Sequence, residues 1–296
     1  MNETKLTVKD SALSFLINFI LCQLSVIVIT IISFVIYQLC GLDTSNFSLF
    51  LNTGLGYLIT AVSLYLTMFL VFIYFNKHKN NKITKKVKIK KLFFYIFIAT
   101  LSFITLYPII TCFDSLLSKL EIKINTLPYN LSTKNYFISL ISLVIAPAIC
   151  EELIFRGLIF QGLKKYGKSF SIIISALMFS VYHMAISQAI YPLLIGLLLG
   201  VIMYYEGNIY YCIALHMTNN FLSLTLSYFN INLLFNHWTY ILLAIILFVV
   251  YLSVVLFFIL KKIKTPNKQK FSTNEKIYLF SSLGIMILFW ILLNIP

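Results

Sequence analysis

Of the nine acidic residues in this 296-residue chain, seven sit at termini, in loops or at the edges of apolar runs. The other two, Glu151 and Glu152, are adjacent inside such a run, and Arg156, the only arginine, follows four residues after Glu152. Ionisable groups at membrane depth cost about 2.5–3.5 kcal/mol each unless paired, so by default they mark a functional site. On a helix, Glu152 and Arg156 share a face at i,i+4 with the acid N-terminal, the favourable order, while Glu151 points about 100° away. One carboxylate is then neutralised by its partner and the other is left for chemistry. The competing reading is a purely structural ion-pair cluster that holds helices together.

His183 and His216 are the two histidines inside apolar runs; His78 lies in a cationic loop and His237 at an outer edge. Phe179 stands four residues before His183 and Asn220 four after His216, each pair on one helical face. A lone membrane histidine is often only a helix-to-helix hydrogen bond, but depth argues for more. At ~1.5 Å of rise per residue, Glu151 comes out roughly 18 Å from the cytoplasmic ends of the runs, His183 roughly 20, His216 roughly 12 and Asn220 roughly 18 Å. Four polar side chains from three spans thus converge on one layer, open most readily toward the cytoplasm. Pro147, four residues before Glu151, removes a backbone hydrogen bond and is expected to kink this span beside the site.

A carboxylate beside a histidine can act as a general base on water. A second histidine with an amide side chain can donate hydrogen bonds to a developing oxyanion. Together they would hydrolyse an acyl bond, most simply a peptide bond, without a covalent intermediate. Ser180 and Cys150 are near in sequence, but neither is set beside a base. Glu151, His183 and His216 also make a two-histidine, one-carboxylate set for a divalent metal such as zinc. HExxH is absent, and the residues alone leave both chemistries open.

The elements that must hold these residues are membrane helices. With 60% hydrophobic and 11% charged residues and a mean hydropathy of +0.93, the chain is no water-soluble globule. Apolar runs longer than about 18 residues recur, each sufficient to cross a bilayer as a helix, and they are apolar all round, unlike barrel strands. The fold class is therefore all-α, a polytopic integral membrane protein with eight to nine transmembrane helices. The runs are Ser11–Leu39, Leu55–Phe75, Leu92–Phe113, Tyr136–Leu163, Phe170–Ile186, Tyr191–Tyr205, Ile209–Phe229, Trp238–Leu260 and Ile277–Ile295. The first is too long for a signal-peptide core and lacks a cleavage site, so it is expected to remain as an anchor. The mixed stretch that ends at Lys134 has room for a short interfacial helix. The chain divides into N-terminal helices with a cationic loop (1–135), a core carrying the polar residues (136–229) and C-terminal helices (230–296).

The net charge of +14 comes almost wholly from lysines between the runs, eight of them in the loop from Lys77 to Lys91. With no recognition helix or RNA-binding aromatic pattern, nucleic acid is not an expected partner. Nineteen lysines fall in loops on one side and three on the other, which favours a cytoplasmic N-terminus, an outside C-terminus and contact with anionic lipids. A lesser reading of the eight-lysine loop is attraction of an acidic substrate segment. The five cysteines lie in apolar runs without metal-type spacing and read as small buried hydrophobes. Sequons at Asn46 and Asn130 carry little weight in a Lys-, Ile- and Asn-rich composition of bacterial type. Gly196 and Gly200 suggest a close helix crossing more than a dimer face, and Glu206-Gly207-Asn208 a tight turn.

Glu151-Glu152-Leu-Ile-Phe-Arg156, Phe179-Ser-Val-Tyr-His183 and His216-Met-Thr-Asn-Asn220 resemble the EExxxR, FxxxH and HxxxN motifs of the CAAX protease and bacteriocin-processing family, in order and on separate spans. The resemblance covers roughly Tyr136–Phe229. It implies an intramembrane endopeptidase acting on a membrane-associated peptide or protein from the cytosolic side. By motif position Glu151 activates water with help from His183, His216 and Asn220 stabilise the oxyanion, and Glu152, Arg156 and Phe179 support the site. It favours a metal-independent glutamate mechanism with no cofactor. In a bacterial host it implies peptide or bacteriocin maturation, or surface-protein processing, instead of prenylated substrates. The alternatives are a non-catalytic immunity or scaffold protein that binds a bacteriocin or membrane partner, and a transporter with a proton relay. The latter predicts an internal repeat that the sequence does not show.

Overall fold

The computed structural model describes residues 5–77, 79, 81–122, 133–229, 238–262 and 269–294; His78, His237 and the sequon at Asn130 lie outside these. Nine long helices make up the described chain: α1 (Val8–Leu39), α2 (Gly54–Asn76), α3 (Ile89–Lys119), α4 (Tyr136–Tyr166), α5 (Lys168–Tyr182), α6 (Ile190–Glu206), α7 (Ile209–Tyr228), α8 (Trp238–Leu260) and α9 (Thr273–Asn294). No strand occurs among the described residues. The boundaries follow ordinary capping chemistry. Thr7 and Asp10 form a reciprocal capping box at the start of α1, and Ser272 and Glu275 do the same at α9. Gly207, in the left-handed region, closes α6, and the Asn208 side chain caps α7, which makes the tight turn expected there.

Seven of these helices are long and apolar enough to cross a membrane. The other two of the nine expected spans are α5, only 15 residues long, and α7, which carries His216, Asn219 and Asn220. The apolar windows of α4 and α6 are 44% and 56% buried, against 11% for α1 and 17% for α8 and α9, so α4 and α6 lie inside the bundle and α1, α8 and α9 toward its outside. The outer helices turn rows of Ile, Leu, Val and Phe outward, as a lipid-facing surface requires. α3 continues to Lys119, past the end of its apolar run, and takes in Asp114.

α4 is not a uniform α-helix. It widens into π-helical turns at Leu140–Ile145 and Leu153–Ile159, on either side of the α-helical segment Ala146–Glu152. Pro147 stands directly after the first wide turn, so the disturbance expected there takes this form. α1 grips α4 and α5 closely. Phe15 and Phe19 of α1 pack on Phe155 and Tyr182, Asn18 donates to the Tyr182 hydroxyl at 2.9 Å, and Ser11 donates to the Ile159 carbonyl at 3.0 Å.

The cationic loop between α2 and α3 is a fastened strap. Asn81 donates to the Gly157 carbonyl at 2.6 Å, on the second π turn, and the Ile209 N–H donates to the Ile83 carbonyl at 2.8 Å. Lys85 of the loop reaches the Glu206 carbonyl at 2.6 Å, and in the first turns of α3 Lys91 contacts both Glu206 carboxylate oxygens at 2.7 Å and Tyr95 adds a hydrogen bond at 2.9 Å. The strap therefore ties the end of α4 to the α6–α7 turn.

α1 crosses α4 at Gly162, where an added Cβ would overlap the Ser11 hydroxyl and the Thr7 carbonyl. Backbone cannot yield as a flexible side chain can, so Gly162→Ala is expected to destabilise by about 1–3 kcal/mol. Thermal unfolding in detergent checks this: a clear drop in midpoint for Gly162→Ala, and no drop for Gly284→Ala, a helical position whose Cβ meets nothing within 4 Å.

Candidate active site

The site is assembled around Arg156, which is fully buried on the second π turn of α4. A guanidinium does not give up its charge, so burial demands partners. Arg156 Nη1 donates to Glu152 Oε1 at 3.0 Å and Nη2 to the Gly196 carbonyl of α6 at 3.3 Å. Its Cζ lies over the Phe179 ring, 4.6 Å from the centroid, a cation–π contact. The i,i+4 pair expected from sequence is thus present, with both members fully buried. Gly196 permits the approach of α6 as expected of the glycine pair: a Cβ there would stand 3.1 Å from Ala176 Cα of α5.

Glu152 also carries a contact that spacing did not reveal. Its Oε1 lies 2.9 Å from His216 Nδ1 of α7. An ionised carboxylate only accepts, so with Glu152 charged, His216 Nδ1 bears a proton. The other ring nitrogen, Nε2, faces Glu151 Oε2 at 3.8 Å. Glu151 is 9% exposed, and its Oε2 is buried without a protein hydrogen-bond partner. The two adjacent carboxylates therefore have different surroundings: Glu152 sits in a charge network, and Glu151 stands beside one imidazole nitrogen.

His183 is the C-cap of α5, one residue past the end of the helix, and is half-buried. Its Nδ1 lies 2.8 Å from the Phe179 carbonyl. A carbonyl accepts only, so Nδ1 carries the proton, and in the neutral ring Nε2 is left as an acceptor. Phe179 joins the three motifs. Its ring meets His183 edge-on at 4.9 Å, His216 at 5.8 Å and Phe155 at 5.0 Å, with Arg156 on its face.

The structure thus brings Glu151, Glu152, Arg156, Phe179, His183 and His216 together. Among the described residues, His183 makes no ion-pair contact with Glu151; the histidine beside that carboxylate is His216. Asn220 lies one turn beyond His216 and is half-buried. Its neighbour Asn219, which the motif spacing passes over, is 1% exposed with both amide atoms unpartnered. Two adjacent asparagines differ in burial only through the rotation of α7, which sequence does not fix. No group of three His, Cys, Asp or Glu side chains among the described residues is gathered as a metal would require. His216 Nδ1 is held by Glu152 and His183 Nδ1 by a backbone carbonyl, which leaves Nε2 of each ring as its second nitrogen.

Residues 133–222 match the family model described as type II CAAX prenyl endopeptidase Rce1-like. The match spans about a third of the chain and includes all three motifs. No curated protein and no solved structure matches the chain.

Removing one member of a buried ion pair leaves the other charge uncompensated, at a cost of about 3–5 kcal/mol. Arg156→Met is accordingly expected to lower the yield of folded protein and its unfolding temperature severely. A double variant that also replaces Glu152 by Gln should recover a measurable part of that loss, as read by detergent-solubilised unfolding.

Proposed function

We propose that this chain is an intramembrane endopeptidase that hydrolyses a peptide bond in a membrane-associated peptide or protein, with water activated by Glu151. The observation that carries the reading is the division of labour between the two carboxylates. Glu152 is bound to Arg156 and His216, while Glu151 Oε2 keeps a free acceptor position beside His216 Nε2. A base that must take a proton from water needs such a position. The family match over the same residues supports a protease.

In the proposed reaction, Glu151 takes a proton from water as the oxygen attacks the carbonyl carbon of the scissile bond. His183, with Nδ1–H held by the Phe179 carbonyl and Nε2 as an acceptor, orients that water. The oxyanion receives hydrogen bonds from His216 Nε2–H in its protonated form, which Glu152 stabilises through Nδ1, and from the Asn220 amide. The proton on Glu151 then passes to the leaving amine as the carbon–nitrogen bond breaks. No covalent intermediate and no metal enters these steps.

The lysine-rich loops are assigned to the cytoplasm, with the N-terminus inside and, with nine spans, the C-terminus outside. Exposed Lys82, Lys86, Lys88 and Lys90 on the strap would meet anionic headgroups there. In a bacterial host, the expected substrates are peptide precursors, bacteriocins or surface proteins.

Terminal-peptide mass spectrometry on membranes and medium tests this, comparing cells that express wild type and Glu151→Ala at matched levels. New termini are expected with wild type only, and they should persist in a chelator. His216→Ala and Asn220→Ala should each reduce them by about 10²–10³-fold, as loss of an oxyanion donor does. Identical termini from wild type and Glu151→Ala, with a phenotype that survives the substitution, would point instead to an immunity or scaffold protein.

A further inference from the structure

The turn that follows His183 is held by a residue far outside the three motifs. After His183 caps α5, Met184 takes φ +55°, in the left-handed region that residues other than glycine rarely occupy. A conformation of this kind persists when its surroundings over-determine it. Two tethers do so. Ser180 donates from α5 to the Ala189 carbonyl at 2.6 Å and closes the base of the loop. Asn294, at the end of α9, spans its tip: the amide nitrogen donates to the Met184 carbonyl at 3.0 Å, and the amide oxygen accepts from the Ile186 N–H at 3.0 Å.

The same amide nitrogen donates to the Trp290 carbonyl at 2.7 Å, which anchors the Asn294 side chain to its own helix. Both faces of the carboxamide are thus used as a neighbouring peptide group would use them, on backbone groups that α5 no longer pairs once it has ended. α9 is itself seated at both ends. Phe289 packs on Phe19 at 5.9 Å, and Glu275 is bonded to Lys165 and Tyr166 at the end of α4.

We propose that Asn294 is a positioning residue for His183. By fixing the backbone from Met184 to Ile186, it sets where the His183 ring stands and where Nε2 points. It acts through His183 and touches neither substrate nor reacting atoms. The proposal rests on the reading of His183 given above, and it assigns the last helix a part in the chemistry. An aspartate at 294 would keep the acceptor for Ile186 and lose the donor to Met184; an alanine would lose both.

The test uses the full chain in detergent as wild type, Asn294→Ala, Asn294→Asp and His183→Ala. Proton–carbon correlation spectra of the four imidazoles, assigned by substitution, report the ring environments. The yield of wild-type-dependent termini reports turnover. Asn294→Ala is expected to shift the His183 signals while leaving those of His216 in place, to speed amide exchange over residues 183–189, and to lower product yield by about 10–100-fold. Asn294→Asp, which keeps the Ile186 contact but sets a carboxylate against the Met184 and Trp290 carbonyls, should lower yield at least as far as alanine and is the second variant if alanine does not fold. An unmoved His183 signal overturns the proposal, whether product yield holds or drops. A moved signal with full yield overturns the positioning role. If His183→Ala keeps full yield, the reading of His183 fails instead, and the exchange and imidazole data still decide whether the clamp exists.

Discussion

A guanidinium with no access to water constrains everything around it. Arg156 stays charged wherever it is placed, and in a low-dielectric interior its charge must be met by acceptors on several sides. One comes from its own helix, Glu152; one from α6, the Gly196 carbonyl; and the aromatic face comes from α5, Phe179. Glu152 then reaches α7 through His216. A single cation thereby fixes the relative placement of four helices, and the two histidines are positioned as a consequence. Pairing of this kind contributes little net stability over an apolar substitute, but losing one member costs much, so geometry is its main product.

The same constraint separates the two glutamates. They are neighbours in sequence and differ by one step of helical rotation, yet only Glu152 faces the cation. Glu151 is left with one oxygen near His216 and no hydrogen bond to it. The π turns flanking this segment fit the picture, because a widened turn changes which side chains share a face, and such turns recur at functional sites. α5 and α7 are the helices least suited to stand alone in a bilayer, one by length and the other by polarity. Helices that carry reactive polar groups inside a membrane need neighbours that cover them, and the outer helices supply that cover.

Much of this was legible in the chain. Ionisable residues in an apolar run are so costly that Glu151, Glu152 and Arg156 announce themselves, and i,i+4 spacing assigns the Glu152–Arg156 pair. The glycine pair in α6 and the Gly207 turn likewise follow from local rules. What spacing could not reach were contacts between helices: His216 on Glu152, Phe179 as the shared ring, and Asn219 turned inward beside Asn220. These depend on helix rotation, and hydropathy fixes rotation poorly where a helix is apolar all round. The lysine loop was read by charge alone, whereas its uncharged members, Asn81 and Ile83, do much of the fastening. Asn294 lay beyond any motif, since one asparagine near the end of an apolar run carries no sequence signal.

The opposite duties of the two adjacent carboxylates are separated by comparing Glu151→Gln with Glu152→Gln in parallel for unfolding temperature and for cleavage. Gln keeps the shape and removes the charge. Glu151→Gln is expected to unfold like wild type and to cut nothing, and Glu152→Gln to lose stability because Arg156 is left uncompensated. Full cleavage by Glu151→Gln, or wild-type stability in Glu152→Gln, would contradict this division of duties.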